Sequence, residues 1–169
     1  MNYITCDGGT KFQRDLAVRI VEFCIWELMP RHRTLDLDIQ LKPTIFEQHS
    51  EALCYPTGED YRPRDFCLEI DSRIWRRNSK RWKRRGARDD FITTVAHEMV
   101  HVKQWVKNEM YEYCKRDEVR FHSTKFNLSK IDYWDYPWEI EAFGRQLGLF
   151  VRFCEENGFA NRKDMVEEI

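Results

Sequence analysis

The chain of 169 residues is long enough to bury one hydrophobic core and too short for two ordinary domains. Its formal charge of −1, 42% hydrophobic content and 14% aromatic content exclude a disordered polyelectrolyte and mark a globular protein. No apolar run approaches the roughly 20 residues of a membrane span, and the N-terminus MNYITCDGGTKFQRD lacks the basic and apolar regions of a signal peptide. A single cytoplasmic domain over 1–169, monomeric and without a membrane partner, is therefore expected.

In chain order, KFQRDLAVRIVEFCIWELM places Leu16, Ile20, Phe23, Cys24 and Leu28 on one helical face, and Pro30 ends the helix. LDLDIQL then alternates, with Leu35, Leu37, Ile39 and Leu41 on one side, as a half-buried strand does. A short strand near Ala52 to Tyr55 precedes turn residues Pro56, Gly58 and Pro63, and FCLEIDS reads as another strand, with Phe66, Leu68 and Ile70 inward. Arg73 to Arg88 holds nine basic residues and no acidic one. Asp89 or Asp90 then offers an N-cap for a helix to about Lys107. Residues 112–135 read as irregular. Asp135 or Tyr136 would cap a last helix, with Pro137 in its first turn.

Six cysteines are present, but no CxxC pair that would suggest a zinc finger or a redox centre. Cys24 and Cys154 lie within apolar helical patterns, where free cysteine behaves as a small hydrophobe. Reduced thiols are expected.

The segment TTVAHEMVHVKQ carries the most chemistry. Histidines at i and i+4 stand one above the other, about 40° apart on a helix, so His97 and His101 can share one metal ion. Glu98 borders them without having to ligate, which suits a general base acting on metal-bound water. Phe91, Ile92, Val95, Met99, Val102 and Val106 form a separate apolar stripe, and Lys103 and Lys107 mark the solvent side. A purely structural helix has little reason to carry His97, Glu98 and His101 on a third face.

Catalytic zinc usually keeps three protein ligands and an open position. Downstream candidates are His122, Glu139 and Glu141. On the last helix Glu139 lies mid-way across a broad apolar arc, beside Gln146, where a carboxylate is costly unless paired or bound to metal. Glu141 has Arg145 at i+4, and an ordinary salt bridge accounts for it.

HEMVHVKQ followed by YWDYPWEIEAFG resembles small zincin-type zinc metallopeptidases, in particular the SprT-like and minimal gluzincin-like proteins common in phages. The likeness covers roughly residues 30 to 155. It implies an α+β zincin-like fold with an N-terminal helix, a small mostly antiparallel sheet, the HExxH helix and a C-terminal glutamate-bearing helix. In related gluzincin families a glutamate three residues before an alanine is the third ligand, which maps to Glu139 and Ala142 here. Those families often place Asp or Asn after the alanine, whereas this chain has Phe143, leaving the partner of a ligand histidine unidentified. SprT proper uses a third histidine, which would promote His122.

The resemblance implies a hydrolase of protein or peptide substrates, with zinc as cofactor and Glu98 passing a proton from water to the leaving amine. His122, Tyr133 and Tyr136 are the available donor types for a developing oxyanion. In zincins an edge strand before the HExxH helix binds the substrate backbone, so FCLEIDS, with Glu69, Ile70 and Asp71, is the candidate. A nucleic-acid- or protein-binding module with a structural zinc site, or a metallohydrolase of non-peptide amides, are alternatives that the motif does not separate. The basic run, with Arg76, Arg77, Arg81, Trp82, Lys83, Arg84 and Arg85, could bind phosphate backbone and stack bases. It could equally be a solvated loop or favour acidic peptides.

Overall fold

The alternating segment LDLDIQL becomes the middle of a four-stranded sheet in the computed structural model, which describes residues 1–43, 51–58, 61–75, 83–113 and 116–159. The elements are β1 (Tyr3–Gly8), α1 (Lys11–Leu28), β2 (Asp36–Lys42), β3 (Ala52–Pro56), β4 (Asp65–Asp71), α2 (Lys83–Val106), β5 (Met110–Tyr113), β6 (Glu118–Phe121), β7 (Thr124–Asn127) and α3 (Pro137–Glu156). Leu37, Ile39 and Leu41 of β2 and Phe66, Leu68 and Ile70 of β4 are all buried, in one core cluster with the inner faces of α1 and α2. The protein is α+β.

The main sheet runs β1-β2-β4-β3, and its β1–β2 and β2–β4 pairings are parallel. Only the outer β3–β4 pairing is antiparallel. This corrects the expectation of a mostly antiparallel sheet. The cause is connectivity: α1 carries the chain back to the starting end of β1, so β2 must run alongside it in the same direction. Antiparallel pairing also builds a separate three-stranded sheet, β5-β6-β7. At the end of β1, Gly8 has φ +81° and passes so close to β2 that a Cβ would meet the Leu41 carbonyl oxygen at 2.2 Å; only glycine fits there.

The start of α1 is fixed by a capping box, in which Thr10 accepts from the Gln13 backbone and the Gln13 side chain accepts from the Thr10 N–H. Leu16, Ile20, Phe23, Cys24 and Leu28 all point into the core, as their spacing requires. α2 begins at Lys83, earlier than the expected caps, so Asp89 and Asp90 lie inside the helix. Arginine and lysine are good helix formers, and the apolar stripe of α2 needs no boundary at Asp89. α3 begins as expected, with Pro137 in its first turn after Tyr136. Among the described residues, no helix is long and apolar enough to cross a membrane.

Candidate metal centre

The stripe Phe91, Ile92, Val95, Met99, Val102 and Val106 is buried almost completely. Locking that face into the core fixes the rotation of α2. His97, Glu98 and His101 are thereby turned toward α3, whose Trp138, Ala142, Leu149 and Phe153 seal the facing surface.

The packing brings His97, His101 and Glu139 together, with one ligand atom from each lying within 4.8 Å of the others. The two Nε2 atoms are 3.2 Å apart. His97 Nε2 lies 3.3 Å from Glu139 Oε2, and His101 Nε2 lies 3.4 Å from Glu139 Oε1. Tyr133, from the short 3-10 turn Tyr133–Asp135, donates its hydroxyl to Glu139 Oε2 at 2.9 Å. This cluster could hold a metal ion.

The partners of the outward-facing nitrogens were not foreseen from sequence. His97 Nδ1 is 2.8 Å from Gln146 Oε1, and His101 Nδ1 is 2.9 Å from Gln104 Oε1. Gln146 lies one turn beyond Phe143, the residue that departs from the gluzincin pattern. Its place beside Glu139 on the helical wheel was the signal available in the sequence. Gln104 closes the HEMVHVKQ segment three residues after His101, which is a contact distance on a helix.

Burial opposes ionisation of Glu139, but hydrogen bonds from His101 and His97, the His101 charge and the Tyr133 hydroxyl outweigh it. They hold its carboxyl well below the usual carboxylate range. Burial also disfavours a charged His101, yet its hydrogen bond to Glu139 and the charges of Glu98 and Glu139 push it up to about 9. Glu98, 7% exposed, is raised by burial and by Glu139, while His101 and His97 pull the other way.

Glu141 and His122, the other candidate ligands, lie outside the cluster. Glu141 accepts from Lys103 at 2.6 Å, Arg145 at 2.7 Å and Gln104 at 3.1 Å, which lowers its carboxyl to about 2 against the cost of burial. Lys103, expected to face solvent, is 5% exposed. Its ammonium reaches Glu141 and also lies 2.5 Å from Glu109 Oε2, close enough for an ion pair though not aligned for a hydrogen bond. A helical wheel shows which side of α2 Lys103 is on, but not that the β5 approach and α3 close over that side. His122 is exposed at φ 51° in the turn between β6 and β7, its ring against Phe121.

A cleft of about 470 Å³ opens over His97 and Glu98, and a second cavity of about 220 Å³ continues past His101 and Glu139. Both share Ala52, His97, Glu98 and Tyr133, so β3 forms one wall along their length. Of His122, Tyr133 and Tyr136, only Tyr133 lines this cleft.

The expected substrate strand is corrected here. β4 is paired on both sides, with β2 and β3, so its backbone cannot take an added strand. Ile70 is fully buried, Glu69 accepts from Lys42 and Tyr55, and Asp71 binds Arg73. β3 is the edge instead. The bonds from Thr57 N–H to Asp65 and from Asp71 N–H to Glu51 set the alternation, so the N–H and C=O groups of Ala52 and Cys54 point away from β4.

Of the basic run, Arg76, Arg77, Arg81 and Trp82 lie outside the described residues, and the backbone of Lys83, Arg84 and Arg85 opens α2. Its ends are engaged within the protein: Arg73 on Asp71, and Arg88 on Asp89 and over the Phe159 ring. No protein-family model, curated protein or solved structure matches the chain.

Proposed function

We propose that this chain is a zinc-dependent metallopeptidase with a zincin-like arrangement, in which His97, His101 and Glu139 hold the metal and Glu98 is the general base. The observation that carries the reading is the spacing of the three donors. Zinc bound tetrahedrally at about 2.0–2.1 Å sets its ligand atoms about 3.3–3.4 Å apart. Here the two Nε2 atoms are 3.2 Å apart, and each has a Glu139 oxygen within 3.4 Å, Oε2 for His97 and Oε1 for His101. One ligand atom from each residue lies within 4.8 Å of the others, a cluster that a small closure would bring to that spacing. Two histidines and a glutamate are also a donor set of zinc hydrolases that keep a fourth position open.

Bound zinc would supply a Lewis acid that polarises a carbonyl and acidifies water. The protein's own groups supply the rest. Burial of Glu98 makes its carboxylate a stronger proton acceptor than an exposed glutamate, suited to taking a proton from the attacking water and returning it to the leaving amine. The outward backbone groups of Ala52 and Cys54 suit a substrate bound in extended form, as a strand added to β3. That geometry favours a peptide over a compact non-peptide amide.

The test combines metal content with hydrolysis. Purified wild type should carry close to one zinc per chain, and His97→Ala, His101→Ala and Glu139→Ala should each lose it. Glu98→Gln should keep zinc while cleavage of an unfolded protein substrate disappears. A wild type that takes up no zinc under metal-replete conditions would remove the basis of the proposal. Zinc without cleavage of any peptide would leave a structural metal site or a different amide substrate.

A further inference from the structure

The amide of Gln104 is fully buried and every polar position on it is used. Its nitrogen lies 2.9 Å from the Trp138 carbonyl oxygen and 3.1 Å from Glu141 Oε2. A carbonyl can only accept. Glu141, with Lys103 at 2.6 Å and Arg145 at 2.7 Å on its other oxygen, is an ionised carboxylate and can also only accept. Both amide hydrogens of Gln104 are therefore committed, and Oε1 must face His101 Nδ1 at 2.9 Å. Because an amide oxygen donates nothing, Nδ1 has to carry the hydrogen of that bond. Nε2 is then the nitrogen that faces Glu139 and His97.

We propose that Glu141 is a positioning residue for the metal centre, acting through the Gln104 amide to fix which nitrogen of His101 is presented to the cleft. The inference rests on the metal reading above and deepens it. Turning the amide over would set its oxygen against two acceptors, the Trp138 carbonyl and the Glu141 carboxylate, at a fully buried position. Both acceptors, Trp138 O and the Glu141 carboxylate, flank Glu139 on the first turns of α3. Docking α3 thus delivers the third ligand and orients the second in one event. It also gives Glu141 a task other than ligation or a helix-surface salt bridge with Arg145.

Two variants test this. Glu141→Gln presents an amide where Lys103 and Gln104 both require an acceptor, and Gln104→Met keeps the volume while deleting the relay. The first readout is the His101 Nδ1–H proton resonance and its exchange with water, followed with and without zinc. The second is zinc affinity, measured by competition with a chelating dye. In the wild type the N–H should be protected. In both variants it should exchange at least about tenfold faster, and zinc affinity should fall about 10- to 100-fold, the usual effect of removing an outer partner of a metal ligand. Unchanged N–H protection and zinc affinity in folded Glu141→Gln, even with a lower melting temperature, would overturn the proposal, because Glu141 would then only join α2 to α3. Should that variant fail to fold, the same unchanged result in Gln104→Met overturns it equally. If the wild type binds no zinc yet its His101 N–H still loses protection in the variants, the metal reading fails and the positioning relay stands.

Discussion

The two sides of the candidate centre are built in opposite ways. On the His101 side, Gln104 is fully buried, Lys103 is 5% exposed, and Glu141 closes the network. On the His97 side, Tyr133, Trp134 and Phe143 are 47%, 70% and 41% exposed, each ring touching the next and Phe143 lying edge-on to the His97 ring. A sealed polar network has one satisfied arrangement and holds a side chain to a narrow geometry. Aromatic rings at a wet surface offer contact area without fixing a partner's shape. The sealed network thus surrounds His101, while the exposed rings border His97 where the cleft opens.

The largest effect should come from the group between the two sides. Glu98→Gln is expected to lower hydrolysis by about 10²- to 10⁴-fold, the typical contribution of a general acid–base, with zinc content unchanged; loss of zinc in that variant would make Glu98 a ligand instead.

On the sealed side, Lys103→Met should destabilise the fold by about 3 kcal/mol, since it leaves Glu109 and Glu141 without their shared buried cation. Chemical denaturation measures this directly, and a loss below 1 kcal/mol would mean that water reaches the network. Zinc affinity offers a pH test of the same region. His101 is raised to about 9, and zinc must displace that proton. Apparent affinity should therefore rise about tenfold per pH unit for the one proton released and level off near pH 9.

Acid should weaken the Glu141 contribution. Its folded pKa is depressed from 4.5 to about 2, so its stabilisation is present above 4.5 and fades as pH falls toward 2. The melting-temperature advantage of wild type over Glu141→Gln should narrow over that window. An advantage that stays constant down to pH 2 would show that the charge is not what stabilises. The smallest effect belongs to the open side. Trp134→Ala should leave stability within about 0.5 kcal/mol and raise KM for peptide substrates more than it lowers kcat.

Some features were legible because they repeat along the chain. The period of α1 identified its buried face, the alternation of β2 identified its own, and HEMVH placed His97, Glu98 and His101 on one side of α2. β4, expected to bury only Phe66, Leu68 and Ile70, is instead buried on both faces from Phe66 to Asp71, because it lies inside the sheet between β2 and β3. Glu139 was legible for a different reason: a carboxylate mid-way across an apolar arc needs a partner. That arc is only half buried, since Ile140, Phe143 and Leu147 remain 56%, 41% and 64% exposed. β1 and the β5-β6-β7 sheet were not anticipated. The strands of that small sheet are four residues each, rich in charge and too short for alternation to register.

The sequence by itself determined the chemistry on offer and the local faces: which residues could bind a metal, which helix carries them, and which side of that helix enters the core. Short-range periodicity contains that information, because side-chain direction follows from backbone geometry within a few residues. Only the tertiary structure decided that β3 rather than β4 is the sheet edge among the described residues, that Lys103 is enclosed, that Glu141 serves Gln104, and that Gln146 meets His97. Each of those depends on which strand pairs with which and on how α3 docks across α2, contacts between residues far apart in the chain that no local pattern encodes.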